Sequence, residues 1–258
     1  MELLCIQPGS PGRTCASGLV VLVMLIAPGV RGAVHAHAPL SPSGQFVVLP
    51  ETVSPDRRHA FAWGLPASFR VDWKKVEAGD DSAISAAIAR GQTIENYLVD
   101  LRARRILSTV PGCHYWREVD DDRFRYLSAT WSPTGRFAVA TFHGRWETYA
   151  IVLIALDRDK VVDQADILSP ARRAIRTWLA ANRSSEYRRF RRHLTVTVPG
   201  PLAFGSPDGL SLPVSAGVPR KETLLDGMLT LRFGLDTRGR LSVEVDTVVP
   251  AVEPPAAR

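Results

Sequence analysis

Cysteine is nearly absent from this sequence: Cys5, Cys15 and Cys113 are the only three. The first two fall in an amino-terminal stretch that reads as a removable export signal, so the mature chain is expected to keep one thiol and to form no internal disulfide. Lysine is almost as scarce, with 4 lysines beside 28 arginines. The formal charge of +6 therefore reflects arginine usage and does not by itself call for a nucleic-acid partner; none is expected. Long apolar runs are missing as well. The one candidate, Ala16 to Ala27, has about twelve residues where a membrane-crossing helix needs about 20, so no transmembrane span is expected in the mature chain. The catalytic signatures are missing too. There is no Gly-x-Ser-x-Gly elbow, phosphate-binding glycine loop, His-Glu-x-x-His or Cys-x-x-Cys. Those absences favour a non-catalytic protein without cofactor or metal. The alternative is a periplasmic hydrolase whose carboxylates and histidines converge in a cleft, an arrangement that leaves no spacing signature.

What is present begins with the signal. Arg13 precedes the apolar run, Pro28-Gly29 breaks it, and the small-residue site Val34-His35-Ala36 follows, so cleavage is expected after Ala36 and the protein is expected in the periplasm or outside the cell. Residues 37–164 then read as β-rich, and residues 165–258 as an arginine-rich helix followed by a β-hairpin region.

A repeat organises the β-rich part. Ser54-Pro55-Asp56-Arg57-Arg58-His59-Ala60-Phe61-Ala62-Trp63 matches Ser132-Pro133-Thr134-Gly135-Arg136-Phe137-Ala138-Val139-Ala140-Thr141 position for position. Proline at the second turn position presets φ, and the alternation that follows is that of a strand. One face of each strand carries the larger residues His59, Phe61 and Trp63, or Phe137, Val139 and Thr141. The other carries only alanine, so one neighbouring layer can approach closely while the larger face fills the gap to another. Each copy leads into a hairpin, at Glu95 to Val110 and at Tyr149 to Val162, and Met228 to Val245 has the same form. A third Ser-Pro-Asp-Gly stands at Ser206 to Gly209, but Pro213 is expected to make the following run an edge or a loop. Between these pieces a short helix is expected near Ser82 to Arg90. A longer one is expected from Ser169-Pro170, with Ser169 as N-cap and a break at Asn182 to Ser185.

The motifs Ser-Pro-Asp-x-Arg with Ala-Phe-Ala-Trp, and Trp131-Ser-Pro-Thr-Gly-Arg-Phe-Ala-Val-Ala, resemble the blade motif of TolB-type β-propellers, and the whole resembles uncharacterised exported bacterial proteins that carry such segments. The resemblance implies a structural role for the motif residues and a rim that presents loops to a protein or ligand. Because the two helical insertions consume chain length, the expected fold is mainly β with helical insertions (α+β). Its antiparallel sheets would resemble propeller blades and form an incomplete propeller, not a closed ring.

Two surfaces stand out as candidate sites. Arg145 and Trp146 lie in a glycine-containing connection between strands, and His114 and Trp116 follow another strand; Arg and Trp are enriched where interfaces concentrate their binding energy. The partner expected there is an envelope protein or ligand of unknown identity. Arg172, Arg173, Arg176, Arg188, Arg189 and Arg192 on the second helix form a stripe suited to polyanions, or else a solvated helix face. Cys113, His114 and Asp120 to Asp122 match no metal-ligand spacing. Trp63, Trp73, Trp131 and Trp178 are assigned to the core.

Overall fold

The repeat turns are built by their own side chains. In a computed structural model of the chain, Ser54 Oγ accepts from the His59 amide at 2.9 Å, and Ser132 Oγ accepts from the Phe137 amide at 3.0 Å. Each turn is closed by a main-chain bond, Arg57 to Ser54 and Gly135 to Ser132, both 2.9 Å. Arg57 and Gly135 share the left-handed conformation, with φ of 56° and 68°. The structure describes residues 46–66, 71–72, 75, 78, 80, 82–90, 94–112 and 126–251. The stretch read as an export signal, Trp73, Cys113, His114, Trp116 and Asp120 to Asp122 lie outside them.

Each turn feeds an antiparallel meander. The first sheet runs β1 (Phe46–Val48), β2 (His59–Gly64), β3 (Glu95–Asp100), β4 (Arg105–Val110), and the second β5 (Tyr126–Trp131), β6 (Phe137–His143), β7 (Thr148–Asp157), β8 (Lys160–Asp166). The third runs β10 (Ala203–Ser206), β11 (Gly209–Val218), β12 (Glu222–Leu235), β13 (Leu241–Pro250), with the short β9 (Thr195–Thr197) also paired to β11. The helices inserted among the described residues include α1 (Ser82–Ala89), α2 (Leu168–Asn182) and α3 (Ser184–Phe190). The fold is thus mainly β with helical insertions, an open, propeller-like α+β arrangement. Among the described residues the sheets close into neither ring nor barrel. None of the described helices is long and apolar enough to cross a membrane.

The two strand faces do different work. Ala60, Ala62, Ala138 and Ala140 are all fully buried. Phe61 and Leu98, on the larger face of the first sheet, share a packed cluster with Ala138, Ala140, Val152 and Ile154 of the second. A large face thus seats on a small one, which lets two β layers meet at native packing density. Val139, Ile151 and Leu153, on the opposite face of the second sheet, join Ala171, Ile175 and Leu179 of α2 and the inner face of the third sheet. The outer face of that last sheet mixes polar pairs with exposed apolar ones: Thr230 bonds Thr247, Arg232 pairs with Asp246 at 3.1 Å, and Met228 faces Val249 across the ladder. An ion pair between Arg58 and Asp159 ties the turn before β2 to the β7–β8 turn. Trp63 is buried, while Trp131 and Trp178 are half-buried against the core, Trp131 donating Nε1–H to the Thr52 carbonyl at 2.9 Å.

Two local expectations are corrected. Pro213 does not demote its run, because β11 is a ten-residue interior strand. It pairs with β12 along its whole length. On its other side β10 covers residues 209 to 211 and β9 covers 215 to 217, so Pro213 falls in the gap between them, where no ladder donor is required. The Gly200 backbone crosses that gap, with Pro213 Cγ 3.4 Å from where a β-carbon would stand. The Ser206 turn is itself a third copy in shortened form: Ser206 Oγ donates to Asp208 at 2.8 Å, as Ser54 Oγ does to Asp56 at 2.7 Å.

The second correction concerns the start of α2. Ser169 lies inside the helix, and Asp166, the last residue of β8, accepts from the amides of Leu168 and Ser169 at 2.9 and 3.3 Å. An unpaired helix amide over a core is costly, so Asp166→Ala is expected to destabilise the protein by about 1 kcal/mol. Asp166→Asn should recover most of this in urea unfolding, and an unchanged midpoint for Asp166→Ala would show that the cap is unnecessary.

Candidate functional site

Two turns from different sheets meet at Trp146, the most exposed tryptophan among the described residues. The β6–β7 connection is a tight hairpin in which the Gly144 amide donates to the Glu147 carbonyl at 2.9 Å, leaving Arg145 and Trp146 at the tip. Gly144 is required there: a β-carbon would stand 2.4 Å from the Tyr149 ring and 2.8 Å from the Glu147 carbonyl oxygen. The β11–β12 connection is a turn closed by Lys221 N–H to the Val218 carbonyl at 3.0 Å. Pro219 takes its second position, and Arg220 takes the third with φ of 61°, where glycine is the unstrained choice.

These turns place guanidinium carbons at 5.0 Å (Arg145) and 4.5 Å (Arg220) from the centre of the Trp146 ring. Both lie within cation–π range, which orders three long side chains relative to one another. Trp146 remains 42% exposed. Beside it opens a cleft of about 420 Å³, floored by Thr195 and Thr197 of β9 and Ser215 of β11, with Lys221 and Glu222 on its wall. Three cations against one carboxylate make the cleft electropositive. Its base is anchored: Glu147 accepts from Arg172 of α2 at 3.0 Å, Arg172 also donates to the Thr148 carbonyl at 2.8 Å, and Thr148 Oγ1 accepts from the Val198 amide at 2.8 Å. The tip therefore projects from a fixed support, which limits the entropy lost on binding.

A second concavity, about 550 Å³, follows one flank of α2 past Ser169, Arg172, Arg173, Arg176 and Thr177 to Tyr187 of α3. The sequence stripe is thus divided. Arg172, Arg173 and Arg176 line this groove. Arg188 donates to the Ser184 carbonyl at 3.1 Å, Arg189 lies 4.8 Å over the Phe190 ring, and Arg192 is exposed beyond the end of α3.

The histidines sit elsewhere. His59 stacks on Trp131 at 6.1 Å, and burial lowers its pKa; its Nε2 has no hydrogen-bond partner among the described residues. His143 stacks on Tyr126 at 4.2 Å with Nε2 2.8 Å from Ser128 Oγ, and burial drives its pKa down to about 4. Neither lines the two concavities. Among the described residues no group of three or more His, Cys, Asp or Glu is placed to hold a metal.

Arg145 and Trp146 were legible in the sequence as a glycine-flanked tip. Arg220 and Lys221 were not, because reading Pro213 as a break hid the strand pair that carries their turn; the signal available was Pro219 at a turn position after an apolar run. The chain matches no protein-family model, no curated protein and no solved structure.

Proposed function

We propose that this protein is an exported, non-catalytic binding protein of the cell envelope, periplasmic or extracellular, that grips an anionic partner in the cleft beside Trp146. The observation that carries this reading is the exposed indole with two guanidinium groups within cation–π range at the edge of an electropositive cleft. Such a cluster offers an aromatic edge and charged forks at one spot, the composition of energetic centres in protein interfaces. The basic, apolar and small-residue succession before Ala36 supports export. The likeness to TolB-type propellers, whose rims present loops to partners, supports a binding role for inter-strand turns.

The test is affinity capture from envelope extract with the wild-type chain, Arg145→Ala/Trp146→Ala, and Arg220→Gly. The glycine variant removes the cation while relieving a strained φ, so it is expected to fold at least as well as wild type. Loss of the captured partner with both variants, on the order of thirtyfold in affinity once it is isolated, is expected. Equal recovery by all three proteins would reject the cleft as the binding site.

A further inference from the structure

The groove along α2 has features the Trp146 cleft lacks. No acid lines it, whereas Glu222 lines the cleft. Its cations are all arginine, at positions 172, 173 and 176, and of these Arg172 alone forms an ion pair among the described residues. The salt bridge with Glu147 and the bond to the Thr148 carbonyl hold Arg172 in place within the groove wall. Arg173 and Arg176 are exposed. Ser169 on one side and Thr177 and Tyr187 on the other add neutral hydroxyl donors that flank the guanidinium groups.

Shape narrows the occupant. From Ser169 to Ala180 the lining residues follow one helix flank for about 16 Å at 1.5 Å per residue, too long for a single small anion. The site is concave, about 550 Å³, and a narrow chain fills such a groove better than the broad surface of a bilayer. Chemistry narrows it further. Forked guanidinium donors flanked by hydroxyls supply many hydrogen bonds per unit of charge, which suits phosphate groups, each with several acceptor oxygens.

We propose that the α2 groove is a second binding site, separate from the Trp146 cleft, for a linear chain of phosphate groups. Arg173 and Arg176 supply the paired forks, the hydroxyls of Ser169, Thr177 and Tyr187 supply neutral donors, and Arg172 supplies a third, anchored guanidinium.

The probe is fluorescently labelled inorganic polyphosphate, titrated by anisotropy at several salt concentrations against the whole protein. Arg173→Gln/Arg176→Gln is expected to weaken binding at least tenfold and to reduce the slope of log affinity against log salt by about 1.5, since each lost phosphate contact removes roughly 0.7–0.9. Arg173→Lys/Arg176→Lys keeps the charge and loses the forks; it is expected to lose several-fold in affinity while holding the slope. Arg188→Gln/Arg189→Gln, outside the groove, should change affinity less than twofold. Both groove positions are exposed, so thermal unfolding should not move. Any one of three results overturns the proposal: equal losses from the groove and α3 pairs, which means a diffuse positive surface; competition by orthophosphate as effective, per molecule, as by the chain, which means a single-ion site; or tighter binding to phosphatidylglycerol vesicles than to polyphosphate, abolished by the same groove substitutions, which means a lipid surface.

Discussion

Phe61→Ala is expected to destabilise the protein by about 3–5 kcal/mol, lowering the unfolding temperature on the order of 10 °C. Phe61 is fully buried at the interface between the first two sheets, 5.8 Å from the Trp131 ring and in one cluster with Ala138 and Ala140. The cost combines lost transfer energy with a cavity that two flat layers cannot collapse to fill. The small side of the same interface gives the converse result. Ala140→Leu forces three extra carbons between sheets already in contact and should cost about 1–3 kcal/mol. Because the large side chain and the alanine face occupy opposite sides of one layer boundary, the double variant Phe61→Ala/Ala140→Leu restores part of the volume. It is expected to be more stable than the sum of the single losses by at least about 1 kcal/mol in urea unfolding. Strict additivity would mean that the sheets do not interlock here, and the packing account of the repeat would fall.

That account was legible in the sequence because every residue of the repeat has a local task. Ser54 and Ser132 close their turns through their own hydroxyls, the alternation sets the faces, and the alanines mark the close-packed side. The hairpins were legible for the same reason. Asp100 accepts from the amides of Arg102 and Ala103, and Asp236 from those of Arg238 and Arg240, so the polar turn residues bond their own backbone. What failed depended on distant chain. Pro213 breaks a strand only where a neighbour needs its amide, and the sequence does not reveal that β9 and β10 leave a gap there. Ser169 and Asp166 are both competent caps, and the choice between them depends on how far β8 continues along β7, which is a tertiary matter.

The candidate site divides along the same line. A hairpin tip such as Arg145-Trp146 is fixed by neighbours in sequence. Its pairing with Arg220 requires two sheets to meet at one edge, and the engagement of Arg172 with Glu147 requires α2 to pack beneath that tip. The arginine stripe looked uniform in the sequence because helical spacing alone does not distinguish a groove wall from a solvated face. The packing of α2 on the core makes Arg172, Arg173 and Arg176 the concave part, while α3, with no buried residue, presents its arginines outward.

His143 carries the second large effect, and it appears as pH dependence. The imidazole is 8% exposed, stacked on Tyr126 and bonded to Ser128, and burial holds its pKa at about 4, below the 6.5 of an unrestrained histidine. The unfolded chain therefore takes a proton that the native state refuses. Stability from this group is full above about pH 6.5 and falls as pH drops, by about 1.4 kcal/mol per pH unit, until the folded state also protonates near pH 4; the total is about 3 kcal/mol. His59, lowered by burial in the same direction, adds to the trend. The carboxyl groups of Asp56, Asp80, Glu186 and Asp236 are also held below their ordinary values by hydrogen bonds and neighbouring cations, and they act mainly below this window. His143→Gln keeps a hydrogen-bonding side chain near Ser128 and has no proton to gain. Urea unfolding of wild type at pH 7 and pH 4.5 should therefore show a steeper loss than the variant, by about 2 to 3 kcal/mol, even if the variant is less stable at pH 7. Parallel pH profiles would place the acid sensitivity in other groups. They would also mean that His143 is as readily protonated as a surface histidine, and the sealed edge between β5 and β6 would then have to be open to water.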